Sequence, residues 1–314
     1  SRLVFTKNAT EALNLVLLGQ IPPGGRVILS SLEHNAVMRP LRHLEAARGV
    51  RLVVVPFDAC GRPDPALLRQ AVAGGADLFV LTAASNVTGC LTPVQEVADL
   101  CGRAGIPICL DASQAVGHGV VPVEGIDFVC FPGHKGLLGP MGTGGVYIAP
   151  DRHPEPLLRG GTGSESDSEI QPGFLPDCCE AGTQNLPGIA GLLAAIDFLR
   201  STGIKTIQTR EGDLCDRLLA GLLALPGVAS PGPAVGEPRV PVVSVSIEGQ
   251  DLGEVALALD RCGIATRVGL HCAPAAHRSI GTFAAGGTLR FSPGCFTTDD
   301  EIDAAVQAME EILA

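Results

Sequence analysis

The sequence lacks the hallmarks of several protein classes. No cluster of lysine and arginine interrupts its formal net charge of −11, so we expect no surface for a nucleic-acid backbone. No apolar run approaches the roughly 18 residues of a membrane span, since even residues 12–18 are interrupted by Asn14. The first residues show no basic stretch followed by an apolar core, so no secretory signal and no membrane partner are predicted.

Metal-ligand spacings and nucleotide-binding motifs are absent too. The cysteine count, 11, is odd, and the sequence contains no C-x-x-C pair and no histidine spacing suited to zinc. We therefore expect no metal site, and reduced thiols in a cytoplasmic protein. There is no G-x-x-x-x-G-K-[ST] motif, and the glycine-rich run at 142–145 leads into a predicted strand, which excludes a phosphate-loop or nicotinamide-binding protein.

The composition and pattern that remain are those of a folded α/β protein. The 314 residues are 46% hydrophobic and 18% charged, which fits a globular chain of about two domains. Strands are predicted at 26–30, 51–57, 77–82, 106–110, 127–131 and 144–148. They alternate with helices predicted at 10–18, 36–48, 65–73 and 92–104. This alternation predicts a mostly parallel sheet with helices on both faces.

The last half of the sequence has a different pattern. Residues 154–176 are rich in Gly, Ser, Pro and Glu and predict a long irregular segment. Helices are predicted at 187–201, 204–225, 252–262 and 299–313, and strands at 240–247 and 288–291. The final third is therefore expected to form a smaller α/β unit.

Two charged residues stand at the ends of neighbouring predicted strands. Asp111 follows one strand, and Lys135 follows the next in the string PGHKG. Alone, either would be a turn-capping aspartate or a surface lysine. Together they are the two groups that a pyridoxal phosphate enzyme needs, a carboxylate for the pyridine nitrogen and an amine for the aldehyde. Thr10 opens the first predicted helix, a place that suits a phosphate.

A set of strings, in this order, resembles the cysteine desulfurase branch of the class V, fold-type I aminotransferases. The strings are FTKNATEALNLV, SSLEHNAV, TAASNVTG, LDASQAVGH, FPGHKGLLGP, EAGTQN, RVGLHCAPAAH and LRFSPGCFTTDDEID. The resemblance spans essentially the whole chain. It implies a large, seven-stranded domain at 1–200 that binds pyridoxal 5′-phosphate and a small C-terminal domain at 201–314.

The resemblance also implies how the cofactor's ring is held. Lys135 forms the Schiff base with the cofactor and later moves the substrate's α-proton, and Asp111 pairs with the pyridine nitrogen. His34, in the string LEH, stacks on the ring. Asn86 and Gln114 contact the ring oxygen.

A phosphate site and a homodimer follow from the same resemblance. Ala9, Thr10 and His134 hold the phosphate, and Thr183 reaches the phosphate of the other protomer. Position 132 is proline where the family usually has serine or threonine, so one hydroxyl contact to the phosphate should be missing. The sequence starts at SRLVFT, so the family's N-terminal segment is expected to be absent, as in a fragment or a shortened homologue.

Substrate chemistry is implied at two further positions. Arg290 clamps the α-carboxylate, a task suited to a planar guanidinium, and Asn86 also contacts the substrate. Cys272 takes the sulfur atom as a persulfide. The glycine before it and the proline after it predict a loop able to bring sulfur to the substrate.

Other cysteines lie in strand or helix patterns. Examples are Cys109, Cys130 and Cys262, where burial would raise the thiol pKa and reduce reactivity. The resemblance therefore predicts conversion of L-cysteine to L-alanine, with the sulfur passed on to an acceptor protein. A selenocysteine lyase, another class V activity such as a transaminase or epimerase, and an inactive scaffold remain open alternatives.

Overall fold

A seven-stranded sheet forms the frame of the protein in the computed structural model, which describes residues 2–119 and 121–314. Its strands are β1 (Leu3–Thr6), β2 (Arg26–Ser30), β3 (Arg51–Val55), β4 (Leu78–Thr82), β5 (Ile108–Asp111), β6 (Phe128–Pro132) and β7 (Gly144–Ile148). Their order is β1-β7-β6-β5-β4-β2-β3. The strands from β3 to β6 pair in parallel, while β7 pairs antiparallel with both β6 and β1. The predicted mostly parallel sheet is confirmed.

Helices cover both faces of this sheet, as predicted. They are α1 (Ala9–Gln20), α2 (Asn35–Arg48), α3 (Pro65–Ala73) and α4 (Val94–Ala104). Side chains alternate across β4: Leu78 and Val80 belong to the core under α1 and α2, and Phe79 and Leu81 to the core under α3 and α4. A strand buried on both faces reads as a continuous apolar run, which is why the period-2 pattern is missing there.

The rest of the chain builds a second, smaller sheet. After the irregular segment come α5 (Leu186–Thr202), α6 (Ile204–Leu223), β8 (Val228–Ala229), β9 (Val243–Ile247), α7 (Leu252–Arg261), β10 (Arg267–Gly269), α8 (Pro274–Ser279), β11 (Thr288–Phe291) and α9 (Asp299–Leu313). The sheet is antiparallel, in the order β10-β11-β9-β8, and α6, α7 and α9 share its core. Gly203 separates α5 from α6, close to the predicted domain boundary, which stays a prediction. Across the described parts of the chain, no helix is long and apolar enough to cross a bilayer.

Proline accounts for some differences between predicted and observed bounds. The strand predicted from residue 240 begins at Val243, because Pro241 has no N–H for a ladder. The helix predicted from residue 92 begins at Val94, because Thr92 precedes Pro93 and proline disfavours helical backbone in the residue before it. The short elements β1, β8, β10 and α8 were not predicted individually, since each has at most six residues and therefore no measurable periodicity.

Candidate active site

A cavity of about 270 Å³ lies at the edge of the large sheet where its parallel strands end. This edge is where ligands bind in open α/β sheets. The segments that follow β2, β4, β5 and β6 converge there. The predicted site residues that line it are Ala9, Thr10, His34, Asn86, Asp111, Gln114, His134 and Lys135.

Asp111 and Lys135 are the carboxyl group and the amine that line this cavity. Asp111 is the last residue of β5 and is only 2% exposed. Its Oδ1 accepts a hydrogen bond from the Ser113 N–H (3.0 Å). Burial lowers the pKa of Lys135, and the charge of Asp111 opposes that effect. The chain's other lysines, Lys7 and Lys205, are exposed, so Lys135 is the lysine suited to act as a neutral amine.

The turn that carries Lys135 is held by close backbone packing. The Leu138 N–H donates to the Lys135 carbonyl (2.8 Å), which closes the turn. Gly117 (φ 93°) lies directly against Gly136, and a Cβ on Gly117 would lie 2.7 Å from the Leu137 nitrogen and closer still to the Gly136 carbonyl. Only glycine fits at this contact, so the turn after β5 fixes the turn after β6.

A hydrogen bond between a histidine and a carboxyl group joins this region to the smaller unit. His118, beside Gly117, lies 2.8 Å from the Glu211 carboxylate on α6, and their side chains are 15% and 5% exposed. The His118 ring also lies against Gly136, where a Cβ would meet its Nε2 at 2.7 Å. The turn that carries Lys135 is therefore packed against the turn after β5, which in turn is bonded through His118 to α6 of the smaller unit.

The ring of His34 has a fixed orientation. His34 caps α2, and its Nδ1 accepts a hydrogen bond from the Ala36 N–H (3.0 Å). That bond requires Nδ1 to be unprotonated. Burial is the largest cause of the lowered pKa of His34, which favours the same neutral state.

The start of α1 forms another part of the cavity. Asn8 Oδ1 accepts from the Glu11 N–H (3.0 Å), and Glu11 Oε2 accepts from the Lys7 N–H (2.6 Å). This reciprocal pair anchors the first turn, so that Ala9 and Thr10 present the positive end of the helix dipole to the cavity. His134 lines the same cavity. The site can accommodate a phosphate there.

Cys272 lies in a short turn with left-handed backbone. His271 and Cys272 have φ values of 49° and 58°. The His271 carbonyl accepts from Asn86 Nδ2 (2.7 Å), and the Cys272 carbonyl accepts from the Asn35 N–H (2.8 Å). The predicted loop is thus a turn anchored to the large sheet, and it leads directly into the unpredicted helix α8.

The Cys272 side chain opens into an adjoining cavity. It is exposed and lines a space of about 410 Å³ that shares Thr10 and His34 with the Lys135 cavity. Cys272 therefore stands between the inner cavity and the protein surface.

Two arginines face each other beside Cys272. Arg267 on β10 and Arg290 on β11 are in direct register. Arg290 Nη1 donates to the main-chain oxygen of Asn86 (2.9 Å), while its buried Nε has no partner. Burial, assisted by the charge of Arg267, lowers the pKa of Arg290. Like charges directly opposite each other are unfavourable. The two guanidinium groups are therefore suited to bind one anion together.

Arg267 is the site residue that the sequence analysis missed. It lines the cavity with Lys135, and its Nη2 donates to Cys272 Sγ (3.1 Å). The available signal was its position in the string RVGLHCAP, five residues before Cys272.

Thr183 does not reach the Lys135 cavity. It lines a separate space of about 210 Å³ together with Lys7 and Asn185. Its assignment to another protomer's phosphate stays a prediction. Pro132 ends β6 and lines the Lys135 cavity without a hydroxyl group, so the missing phosphate contact also stays a prediction.

The remaining cysteines differ in accessibility. All eleven are free. Cys109 and Cys130 are buried as predicted, and burial raises the pKa of Cys130 well above its ordinary value. The prediction was wrong for Cys262, which is exposed because it caps the C-terminus of α7.

Comparison with known proteins gives the family. Residues 1–305 match the family described as aminotransferase class-V. The chain belongs to the cysteine desulfurase branch of the class-V aminotransferases. A probable cysteine desulfurase of Methanothermobacter thermautotrophicus is 35% identical over 99% of this chain and 79% of its own. The family implies pyridoxal phosphate.

Solved structures agree with this assignment. The apo cysteine desulfurase of Thermococcus onnurineus superposes with a TM-score of 0.92 at 32% identity, covering 99% of this chain and 79% of its own. A cysteine desulfurase of Escherichia coli gives a TM-score of 0.90 at 28% identity, covering 100% of this chain and 80% of its own. The predicted α/β fold class is confirmed.

Proposed function

We propose that this chain is a pyridoxal phosphate-dependent cysteine desulfurase, which converts L-cysteine to L-alanine and carries the sulfur as a persulfide on Cys272. One observation carries the proposal: Cys272 Sγ accepts a hydrogen bond from Arg267, which lines the same cavity as Lys135 and Asp111. A thiol, a partly buried amine and a buried carboxyl group thus lie at one edge of the sheet.

The residues present fit the cofactor. Lys135 would hold its aldehyde, and Asp111, as a buried anion without a lysine or arginine ion-pair partner among the described residues, would hold its pyridine nitrogen. The other proposed contacts are His34 on the ring face, Asn86 and Gln114 at the ring oxygen, and Ala9, Thr10 and His134 at the phosphate. When bound, pyridoxal phosphate supplies an electron sink for charge that develops on the substrate's α-carbon.

Arg290 and Lys135 act on different groups of the substrate, the α-carboxylate and the α-proton. The guanidinium of Arg290, with its unpartnered Nε, binds the α-carboxylate, and Asn86 supports it through the hydrogen bond to its main-chain oxygen. Lys135 Nζ, whose pKa burial lowers, takes up the α-proton as a neutral amine. Both side chains are partly buried, which brings them out of bulk water while leaving them open to a substrate.

Sulfur transfer takes place at Cys272. Its sulfur, which Arg267 contacts, attacks the substrate's sulfur as a thiolate, so that a sulfur–sulfur bond forms and the carbon–sulfur bond breaks. The electron pair of the broken bond stays with the carbon fragment, which takes up a proton to become alanine. L-cysteine and the Cys272 thiol thus give alanine and a persulfide without an external oxidant or reductant.

The proposal extends to partners and compartment. We place Thr183 at the phosphate of a second protomer, because its own chain holds it outside the Lys135 cavity. The persulfide would pass to an acceptor protein through the cavity onto which Cys272 opens. A chain whose eleven cysteines are all free suits the reducing cytoplasm.

Cys272→Ser tests the function, with Cys262→Ser as a matched control, since both thiols are exposed. Cys272→Ser should still bind L-cysteine, as seen in the visible spectrum. It should release alanine far more slowly than wild type and form no persulfide. Cys262→Ser should behave as wild type. Mass spectrometry should place the extra sulfur on Cys272. Wild-type alanine release by Cys272→Ser would refute the persulfide mechanism.

A further inference from the structure

Glu33 is a buried carboxyl group next to two residues that line the cavity, His34 and Thr82. It follows β2, precedes His34 and has no exposed surface. Its Oε1 accepts hydrogen bonds from Ser30 Oγ (2.5 Å) and from the Thr82 N–H (2.8 Å). Its Oε2 is also buried and has no hydrogen-bond partner. That oxygen lacks a partner in either protonation state, and the cost of burying it is much larger for a charged carboxylate than for a neutral acid.

The backbone that Glu33 holds is the backbone beside Asp111. Thr82, the last residue of β4, is the register partner of Asp111 on β5. The next residue, Ala83, donates its N–H to the Asp111 carbonyl (2.9 Å). Thr82 itself lines the cavity. Glu33 therefore fixes the strand end against which Asp111 is placed.

We propose that Glu33 is a positioning residue for Asp111 and that it acts as a neutral carboxylic acid, joining the ends of β2 and β4 without adding a second negative charge. The inference rests on the proposed function, which assigns Asp111 to the cofactor's pyridine nitrogen. A second carboxylate at this place would repel Asp111 and raise its affinity for a proton. A neutral acid keeps the hydrogen bonds to Ser30 and Thr82 and does not raise the proton affinity of Asp111.

The electrostatics of the surroundings agree with the geometry. Burial, as the largest cause, raises the pKa of Glu33 from 4.5 to about 8, and the charge of Asp111 adds to the rise. The hydrogen bonds from Ser30 and Thr82 oppose it. Among the described residues, Asp111 is the charged group that acts on Glu33, since the contacts from β2 and β4 are neutral.

This protonation state has a measurable signature in the protein without cofactor. The folded chain holds the Glu33 proton up to about pH 8, and the unfolded chain releases it above about pH 4.5. Wild type therefore loses stability relative to Glu33→Gln as the pH rises between those values. The ratio of their unfolding equilibrium constants should change about tenfold per pH unit between about pH 5 and pH 8.

Urea unfolding of both proteins across this range tests the protonation state. A ratio that does not vary with pH would show that Glu33 is already ionised in the folded chain and would overturn the proposal. Because neither cofactor nor substrate is present, this result is independent of whether the chain is a desulfurase.

The link to Asp111 has its own test. In an Asp111→Asn background the charge that helps to raise the pKa of Glu33 is gone, so the upper end of the pH window should move to lower pH. An unmoved end would overturn the link. With cofactor present, Glu33→Ala should weaken cofactor binding about tenfold, as for one lost buried hydrogen bond, and Glu33→Gln should restore it. Equal weakening in both variants would contradict a neutral positioning role.

Discussion

Gly117→Ala is expected to displace the turn that carries Lys135. Gly117 has a φ of 93°, and its Cα faces the backbone of Gly136 across the contact between the two turns. An added Cβ would lie 2.7 Å from the Leu137 nitrogen, where ordinary contacts begin at 3.4 Å. The two turns must therefore separate by at least about 0.7 Å at this point. Because the obstructing atoms are backbone, no side-chain rotation can relieve the clash.

The cost of this substitution has two components. An alanine at positive φ costs about 1–3 kcal/mol, and forcing an extra methyl group into a packed contact adds about 1–3 kcal/mol. We expect a loss of about 2–6 kcal/mol in the free energy of unfolding. A shift approaching 1 Å in the turn should also lower turnover by about 10²-fold, since Lys135 must meet the α-proton in a defined geometry.

Gly105→Ala is the matched control for this experiment. Gly105 also has a positive φ of 67°, but nothing lies within 4 Å of its added Cβ. Its substitution should therefore cost only the backbone component, about 1–3 kcal/mol, and leave turnover unchanged. Urea unfolding and steady-state kinetics would separate the two effects. If both variants lost the same stability and the same turnover, the contact between Gly117 and Gly136 would not position Lys135.

Three substitutions test other assigned roles. Lys135→Ala should lose the covalent chromophore, and borohydride reduction of wild type followed by peptide mapping should label Lys135; a label on Lys7 or Lys205 would contradict the assignment. Asp111→Asn should retain some cofactor but lose several kcal/mol of transition-state stabilisation, seen as a fall in kcat; a near-wild-type kcat would refute this role. Arg290→Lys should raise the KM for L-cysteine, because an ammonium cannot reproduce the planar fork; an unchanged KM would place the carboxylate clamp elsewhere.

The hydrophobic pattern of the sequence was sufficient to predict the strands whose ends surround the candidate site. Apolar runs separated by helical periodicity gave the strands, and the parallel arrangement places their ends at one edge. Asp111 and Lys135 could be identified because Asp111 comes directly after such a run and Lys135 lies in the short turn after the next one. Their meeting in one cavity required no knowledge of side-chain packing.

Residues whose role depends on contacts between distant segments could not be found in this way. Arg267 stands on a strand of three residues, which is too short to show a periodicity. Glu33 shows its importance only through burial and through its bond to Thr82. The exposure of Cys262 likewise depends on where α7 ends. In each case three-dimensional packing, rather than residue type, determines the chemistry.

The position of Cys272 depends on both sheets together. Two consecutive non-glycine residues with positive φ cost of order 1–3 kcal/mol each, so this turn persists only if its surroundings hold it. From the large-sheet side, Asn86 and Asn35 bind the carbonyls of His271 and Cys272.

From the small sheet, the buried His271 ring lies 2.9 Å from Thr288 Oγ1, and Arg267 donates to Cys272 Sγ. Burial lowers the pKa of His271 to about 3, so its ring stays neutral throughout the physiological range and adds no charge that would repel Arg267. The Cys272 side chain is therefore placed by the junction of the two sheets, and any change that separates them would move its sulfur atom away from the cavity that holds Lys135.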